Sequence, residues 1–392
     1  MRTPSRACRA RGLALAALLS ALAACGTEDA QSAAVVDSAA TAPRDSVTEA
    51  AAPETPAAPA APTGPAAELP PNELGRIMVL EYHRLGDNEG EFVRKAENFR
   101  KDLQALYERG YRPVTMRQVL DGDLDLPAGT TPVVFTIDDS SLGQFYYLPD
   151  GRLDPNTMVG MWAAFQTANP AWKSGAVWCV LPAAQHPSNF FSEKPDREFA
   201  SREEREANIR KKVTYLVENG HELCNHTLYH ARLDKGTDAQ VQEWLGRGED
   251  SIQVYLPEGY DIVTMALPLG MWPKNRALAW EGSWKGRPYE YRAVLEVSGG
   301  PNVSPFDRGF NPRSVNRFIV APGALERQLE RWEKDPSNRY VSDGDASTIT
   351  VPQRLAASVD RGRWTQKQVK VLPDAEPAVA GQGASPATAA AP

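Results

Sequence analysis

The chain has 392 residues, with 43 lysines and arginines against 50 aspartates and glutamates, so it carries a formal charge of −7 and has room for one large domain with non-globular ends. Acids and bases interleave without a basic stripe, which argues against nucleic acid and polyanions as partners and leaves a neutral or amine-bearing ligand compatible.

Residues 1–24 hold Arg2, Arg6, Arg9 and Arg11, then an apolar stretch from Leu13 to Leu22. A basic start, a short apolar core and small residues before a cut mark an export signal, too short to cross a bilayer as a helix. The ending Leu22, Ala23, Ala24, Cys25 resembles a lipobox, which implies cleavage before Cys25 and lipid on its sulfur; the rival is an ordinary secretory signal with an incidental Cys25. The expected location is the cell envelope, with lipid as the only membrane attachment. In a Gram-negative cell this means the outer membrane or its periplasmic face, since Gly26 is not a retention aspartate. Residues 25–73 and 373–392 are rich in Ala and Pro and nearly devoid of large apolar side chains. They cannot bury enough surface to offset their ordering entropy, so a disordered tether spanning roughly 40 Å and a disordered tail are expected.

Between them, residues 74–372 alternate strand-like and helix-like segments. Strands are expected at 77–83, 133–137, 176–181, 221–225, 262–266, 291–297 and 317–320. A helix at 91–109 puts Phe92, Ala96, Phe99, Leu103 and Leu106 on one face, with Gly110 as the stop. A second, at 202–219, has acids in its first turn and Gly220 after it, and a third, at 324–334, shows Leu325, Leu329 and Trp332. The pattern predicts an α/β fold, a distorted (β/α)7-type barrel forming a single catalytic domain. His83, Asp138, Asp139, His226 and Pro268 all fall at C-terminal strand ends, where barrel enzymes build their sites.

Two motifs stand out there: Thr136, Ile137, Asp138, Asp139, and His226 followed four residues later by His230. Residues four apart share a face of a helical turn, so both imidazoles can reach one ion. Adjacent residues leaving a strand point in opposite senses, so one aspartate can ligate while the other stays free as a proton acceptor. Alone, each motif is also what a strand cap or a solvated helix face shows.

Thr136 to Asp139 resembles the first motif of the NodB-homology polysaccharide deacetylases, carbohydrate esterase family four. Gly220, His221, Glu222, Leu223, Cys224, Asn225, His226, Thr227 with His230 resembles the second motif, and Leu267, Pro268, Leu269, Gly270 a remnant of the third. Leu80, Glu81, Tyr82, His83, Arg84, together with 99–119, is similar to the permuted branch that contains poly-β-1,6-N-acetylglucosamine deacetylases. The resemblance implies Asp139, His226 and His230 as ligands of a divalent metal, Zn2+ ahead of Ni2+ or Co2+, and Asp138 as general base. It implies His83 as general acid, because no histidine follows His230, and a backbone N–H near Ser140 or Ser141 as an oxyanion donor. The implied partner is a cell-surface or cell-wall polysaccharide carrying N-acetyl or O-acetyl groups, met by a monomer. Rival readings are a glycan-binding protein without turnover and a metal hydrolase of another amide.

Two departures bear on activity. Ser140 stands where the family has Gly, and Ala266 where it has the Arg that braces the base, leaving Arg317 or Arg292 to replace it. Pro268, Leu269 and Trp272 are candidates for a sugar subsite, although Trp162, Trp172 and Trp178 read more simply as core. His221 and Glu222 are expected to orient their strand, and His186 to lie on the surface or face substrate. Cys179 and Cys224 are expected to be two buried thiols, since bridges between adjacent strands are geometrically awkward.

Overall fold

Seven apolar runs close into a parallel barrel in the computed structural model, which describes residues 69–184 and 201–374. The export signal, Cys25, the tether up to residue 68, the tail from 375 and His186 lie outside the described residues. The strands are β1 (Met78–Tyr82), β2 (Thr131–Asp138), β3 (Val177–Val180), β4 (Glu222–Asn225), β5 (Thr264–Ala266), β6 (Ala293–Gly299) and β7 (Val315–Ile319). Each pairs in parallel with the next, and the ring closes where Leu80 of β1 faces Phe318 of β7. All seven expected strands are present, with ends displaced by no more than two residues.

The period of two sorts the side chains into two layers. Met78, Leu80, Phe135, Ile137, Trp178 and Leu223 belong to the apolar layer between barrel and helices. Val79, Val134, Val177, Cys179, Cys224, Ala266 and Leu295 form the second cluster, inside the barrel. Trp162, Trp172 and Trp178 are fully buried, with Trp162 and Trp172 packed on Phe135, so they are core as expected.

The helices are α1 (Ala96–Glu108), α2 (Met116–Asp121), α3 (Met158–Ala168), α4 (Arg202–Glu218), α5 (Asp238–Gln253) and α6 (Ala324–Lys334). The expected start at residue 91 is corrected. Arg94 is buried against Asp102, with Nη2 to Oδ1 at 2.6 Å and Nε to Oδ2 at 2.9 Å, and this pair pins residues 93–94 as an extended segment beside Arg84 and Leu85. Phe92 therefore leaves the helix face for the surface. Among the described residues no helix is long and apolar enough to cross a membrane.

The amino-terminal end of the barrel is closed by residues 336–372. Asn72 N–H donates to Val341 O and Glu73 N–H to Thr350 O, both at 2.9 Å, so packing begins two residues before the expected boundary at 74.

The expectation of two buried thiols is overturned: Cys179 and Cys224 form a disulfide. They are in-register partners on β3 and β4, both facing the barrel interior, with Cα atoms 4.2 Å apart. Equal register on parallel neighbours brings the two sulfurs together, and the bond removes Cys224 as a competing metal ligand. Crosslinking a loop of this span, 45 residues in sequence separation, restricts the unfolded chain by roughly 4 kcal/mol in the chain-entropy account. Peptide mapping of unreduced protein should therefore recover the two cysteines as one linked fragment, and the Cys179→Ala, Cys224→Ala double variant should lose a few kcal/mol of stability; two alkylatable thiols in the unreduced protein would contradict the pairing.

Candidate active site

The strand end at Asp138 turns abruptly. Asp139 (φ 84°) and Ser140 (φ 54°) both occupy the left-handed region that a side chain disfavours. Ser140 makes the turn that Gly would make without strain, and its Oγ accepts from Leu181 N–H at 2.9 Å, a bond that glycine could not supply. The turn sends Asp138 into the barrel and Asp139 to its mouth.

The two histidines meet by a different route from the one expected. They sit in a loop, not on a helical turn: Thr227 (φ 68°) and His230 (φ 63°) are both left-handed. Asn225 Oδ1 accepts from Thr227 N–H at 2.8 Å, and Thr227 Oγ1 from Ala231 N–H at 2.9 Å, so local side-chain bonds replace helical ones. Asn225 is itself held by Leu245 O and Tyr291 Oη at 3.0 and 2.6 Å. The result is two imidazole rings 5.0 Å apart.

His226 Nδ1 lies 2.9 Å from the carbonyl of Ala266. A carbonyl only accepts, so Nδ1 carries the hydrogen and Nε2 of the neutral ring is a bare acceptor. Burial pushes the His226 pKa down to about 4, which keeps the ring neutral near pH 7. Nε2 is buried without a hydrogen-bond partner and lies 3.7 Å from Asp139 Oδ1, which is also 3.7 Å from His230 Nε2. Tetrahedral ligands about 2.1 Å from one ion stand roughly 3.4 Å apart, so this donor set and spacing fit a divalent cation. The expected triad is thus brought together.

Beneath it lies a fully buried cation. Arg317 Nη1 donates to Asp138 Oδ1 at 2.8 Å and to Thr136 Oγ1 at 3.2 Å, while Nε is 3.0 Å from Glu81 Oε2. Arg317 therefore supplies the brace absent at Ala266. Arg292 does not, because it pairs with the exposed Asp121 at 2.6 Å. Burial would raise the Asp138 pKa, but Arg317, with His226 and His83, outweighs it and holds the carboxyl well below the usual range. Burial, opposed by Arg317, leaves Glu81 raised. Burial and the Asp138 charge push Asp139 up to about 7.

His83 stands on the other side of Asp138, with Nε2 3.9 Å from Asp138 Oδ2 and 3.6 Å from Glu81 Oε1, its ring edge-on to Phe92 at 4.7 Å. Burial pushes its pKa down to about 3. Gln144 Nε2 donates to the carbonyls of both His83 and Asp138 and ties the two strand ends together. Glu81, His83, Asp138, Asp139, His226 and His230 line a cavity of about 340 Å³ with Phe92 and Leu269 at its apolar wall. Leu269 is half exposed, whereas Pro268 is buried. Trp272 lies outside this lining, its Nε1 donating to Glu296 and its ring covered by Arg276 at 3.7 Å. His221 Nδ1 accepts from Ala176 N–H at 2.8 Å and Glu222 accepts from Thr264 Oγ1 and Arg117 N–H, so both are strand fixtures.

Sequence reasoning passed over Glu81, Phe92 and Gln144. Glu81 had a signal, being the one acid inside an apolar strand. Phe92 and Gln144 had none, since each reaches the site through a loop.

Residues 180–281 match the family model described as polysaccharide deacetylase, a stretch that carries β4, both histidines and β5. The motif resemblance and the family model agree. No curated protein matches the chain. Among solved structures the chain is similar to the Streptococcus pyogenes deacetylase PplD, solved in complex with acetate, at 15% identity over 65% of this chain and 97% of that one, with a TM-score of 0.45. It is also similar to IcaB from Ammonifex degensii (17%, 65% and 96%, TM-score 0.44) and to the deacetylase domain of BpsB from Bordetella bronchiseptica (16%, 63% and 96%, TM-score 0.39).

Removing Arg317 strands two buried carboxylates, a change that costs about 3–5 kcal/mol. Arg317→Met should show that loss in denaturant unfolding, and adding Glu81→Gln and Asp138→Asn should recover at least half of it; a single variant within about 1 kcal/mol of wild type contradicts the shared pair. The raised pKa of Asp139 means that its protonated form favours the metal-free fold. That contribution is full below about pH 4 and is lost as pH rises through about 7. The stability of metal-free wild type relative to Asp139→Asn should therefore fall between pH 5 and pH 8, and a flat or rising difference would refute the assignment.

Proposed function

We propose, starting from the family match, that this chain is a metal-dependent deacetylase that removes acetyl groups from an N-acetylated, or O-acetylated, cell-surface polysaccharide. The observation that carries the reading is the bare, buried Nε2 of His226 facing Asp139 and His230 beside an ionised Asp138. Asp139, His226 and His230 would hold Zn2+, or Ni2+ or Co2+, and the ion would supply Lewis acidity that lowers the pKa of water from 15.7 towards about 7 and polarises the acetyl carbonyl.

The chain's own residues do the proton work. Asp138, kept charged and oriented by Arg317, accepts the proton of the attacking water. His83, 3.9 Å from Asp138, delivers a proton to the leaving nitrogen or oxygen as its bond to the acetyl carbon breaks. Because His83 begins neutral, the proton it gives is the one the water loses, and acetate and the free amine or alcohol balance the reaction. Leu269 and Phe92 offer an apolar wall for the acetyl methyl or a sugar face.

The disulfide supports export to an oxidising compartment. Lipid on Cys25 at the cell envelope and a monomeric state complete the reading. The rival of a glycan binder without turnover leaned on Ala266 and on the missing late histidine; Arg317 and His83 beside Asp138 support the enzymatic reading over it.

Acetate release from partially acetylated β-1,6-glucosamine polymer or chitooligosaccharide tests this. Asp138→Asn should lose about 10²–10⁴-fold in rate with metal content unchanged, and His226→Ala should lose the metal. Wild-type protein that binds these glycans and metal but releases no acetate would overturn the enzymatic reading in favour of the rival.

A further inference from the structure

A second and larger cavity opens at the amino-terminal end of the barrel strands, the end opposite His226. It measures about 740 Å³ and is lined by Arg112, Thr115, Gln118, Ser174 and the acids Asp123, Asp125 and Asp343. Arg112 sits on the short strand Tyr111–Pro113 beside β2 and is 4% exposed. Its Nη1 donates to Tyr111 O at 2.7 Å and to Tyr107 O at 3.1 Å, and the guanidinium lies 4.3 Å over the Tyr107 ring. Nε is buried with no partner. Arg94 and Arg317 each face a carboxylate, but among the described residues none is paired with Arg112. A buried cation without a counter-charge is costly, and burial accordingly pulls the Arg112 pKa below its ordinary value. An incoming anion relieves that cost.

The rest of the lining narrows the anion. Ser174 Oγ and Thr115 Oγ1 both donate to Gln118 Oε1, at 2.7 and 3.3 Å, so Gln118 keeps its amide N–H groups as donors. Asp123 and Asp125 are exposed at the rim, where they repel a dianion such as phosphate yet accept hydrogen bonds from hydroxyls. Lys173 adds a rim cation. Asp343 is already engaged by the hydroxyls of Thr348 and Thr350, so one carboxylate seated on Arg112, with a ring of hydroxyls among Gln118 and the rim acids, fits the groups that remain. We propose that this cavity is a binding site for a carboxylate-bearing sugar, a hexuronate. It is independent of the deacetylase site and of the function assigned there.

Calorimetric titration of the full chain with glucuronate, glucose and inorganic phosphate tests the site. Glucuronate should bind at least about tenfold tighter than glucose or phosphate, which corresponds to about 1.4 kcal/mol. Arg112→Gln should lose that preference and Asp138→Asn should keep it. Should Arg112→Gln fail to fold, the exposed Lys173→Glu should still weaken glucuronate severalfold in a folded protein. No binding of glucuronate, equal binding of glucose, tighter binding of phosphate, or indifference to both cavity variants would each overturn the site.

Discussion

The centre depends on one buried guanidinium held between two carboxylates. Arg317 is fully buried inside the barrel, and Asp138 and Glu81 share it. Desolvating three charges is unfavourable, and their mutual attraction in a low-dielectric interior offsets this only with close geometry and further hydrogen bonds. Thr136 Oγ1 and the carbonyl of Glu296 supply those bonds. The arrangement leaves Asp138 ionised inside the barrel, paired with Arg317 and beside two neutral imidazoles. At the mouth, Asp139 and the bare Nε2 of His226 form a donor set that suits a cation, while Arg317 keeps Asp138 ionised.

The scaffold holds this charge arrangement at both ends. Below the centre, the disulfide joins the two strands whose ends carry Leu181 and His226, and Cys179 is the register partner of Asp138. Above it, left-handed residues at Asp139, Ser140, Thr227 and His230 turn the chain sharply enough to aim adjacent side chains in different directions. Such conformations cost of order 1–3 kcal/mol each and persist where surrounding bonds enforce them, here from Ser140 to Leu181 and from Asn225 to Thr227. Among the described residues the left-handed non-glycine positions cluster in the loops of the site, with Lys285 in a distant hairpin turn as the exception, and none lies within a barrel strand.

What was legible in the sequence follows from how local each signal is. The seven strands were legible because each is a short apolar run, and β2, buried along its whole length, shows this most clearly. The cluster of Asp139, His226 and His230 was legible because all three lie in short motifs at strand ends. The route by which the histidines meet was not, since spacing four is shared by a helical turn and by a loop built on Thr227. The disulfide was hidden in the register between β3 and β4, and Arg317 in the closure of β7 on β1, both of which depend on distant chain segments. Phe92 misled because an apolar residue four before Ala96 extends a helical stripe, and only the Arg94–Asp102 pair reveals that the helix starts later.

The most direct test of the central claim is an imidazole-resolved NMR titration of the metal-free protein with Zn2+. The account predicts that the Nε2 signals of His226 and His230 shift together and saturate at one equivalent, while Nδ1 of His226 keeps its proton on Ala266 O. Saturation with those two rings unmoved, or with only one of them engaged, would contradict a metal centre built on Asp139, His226 and His230.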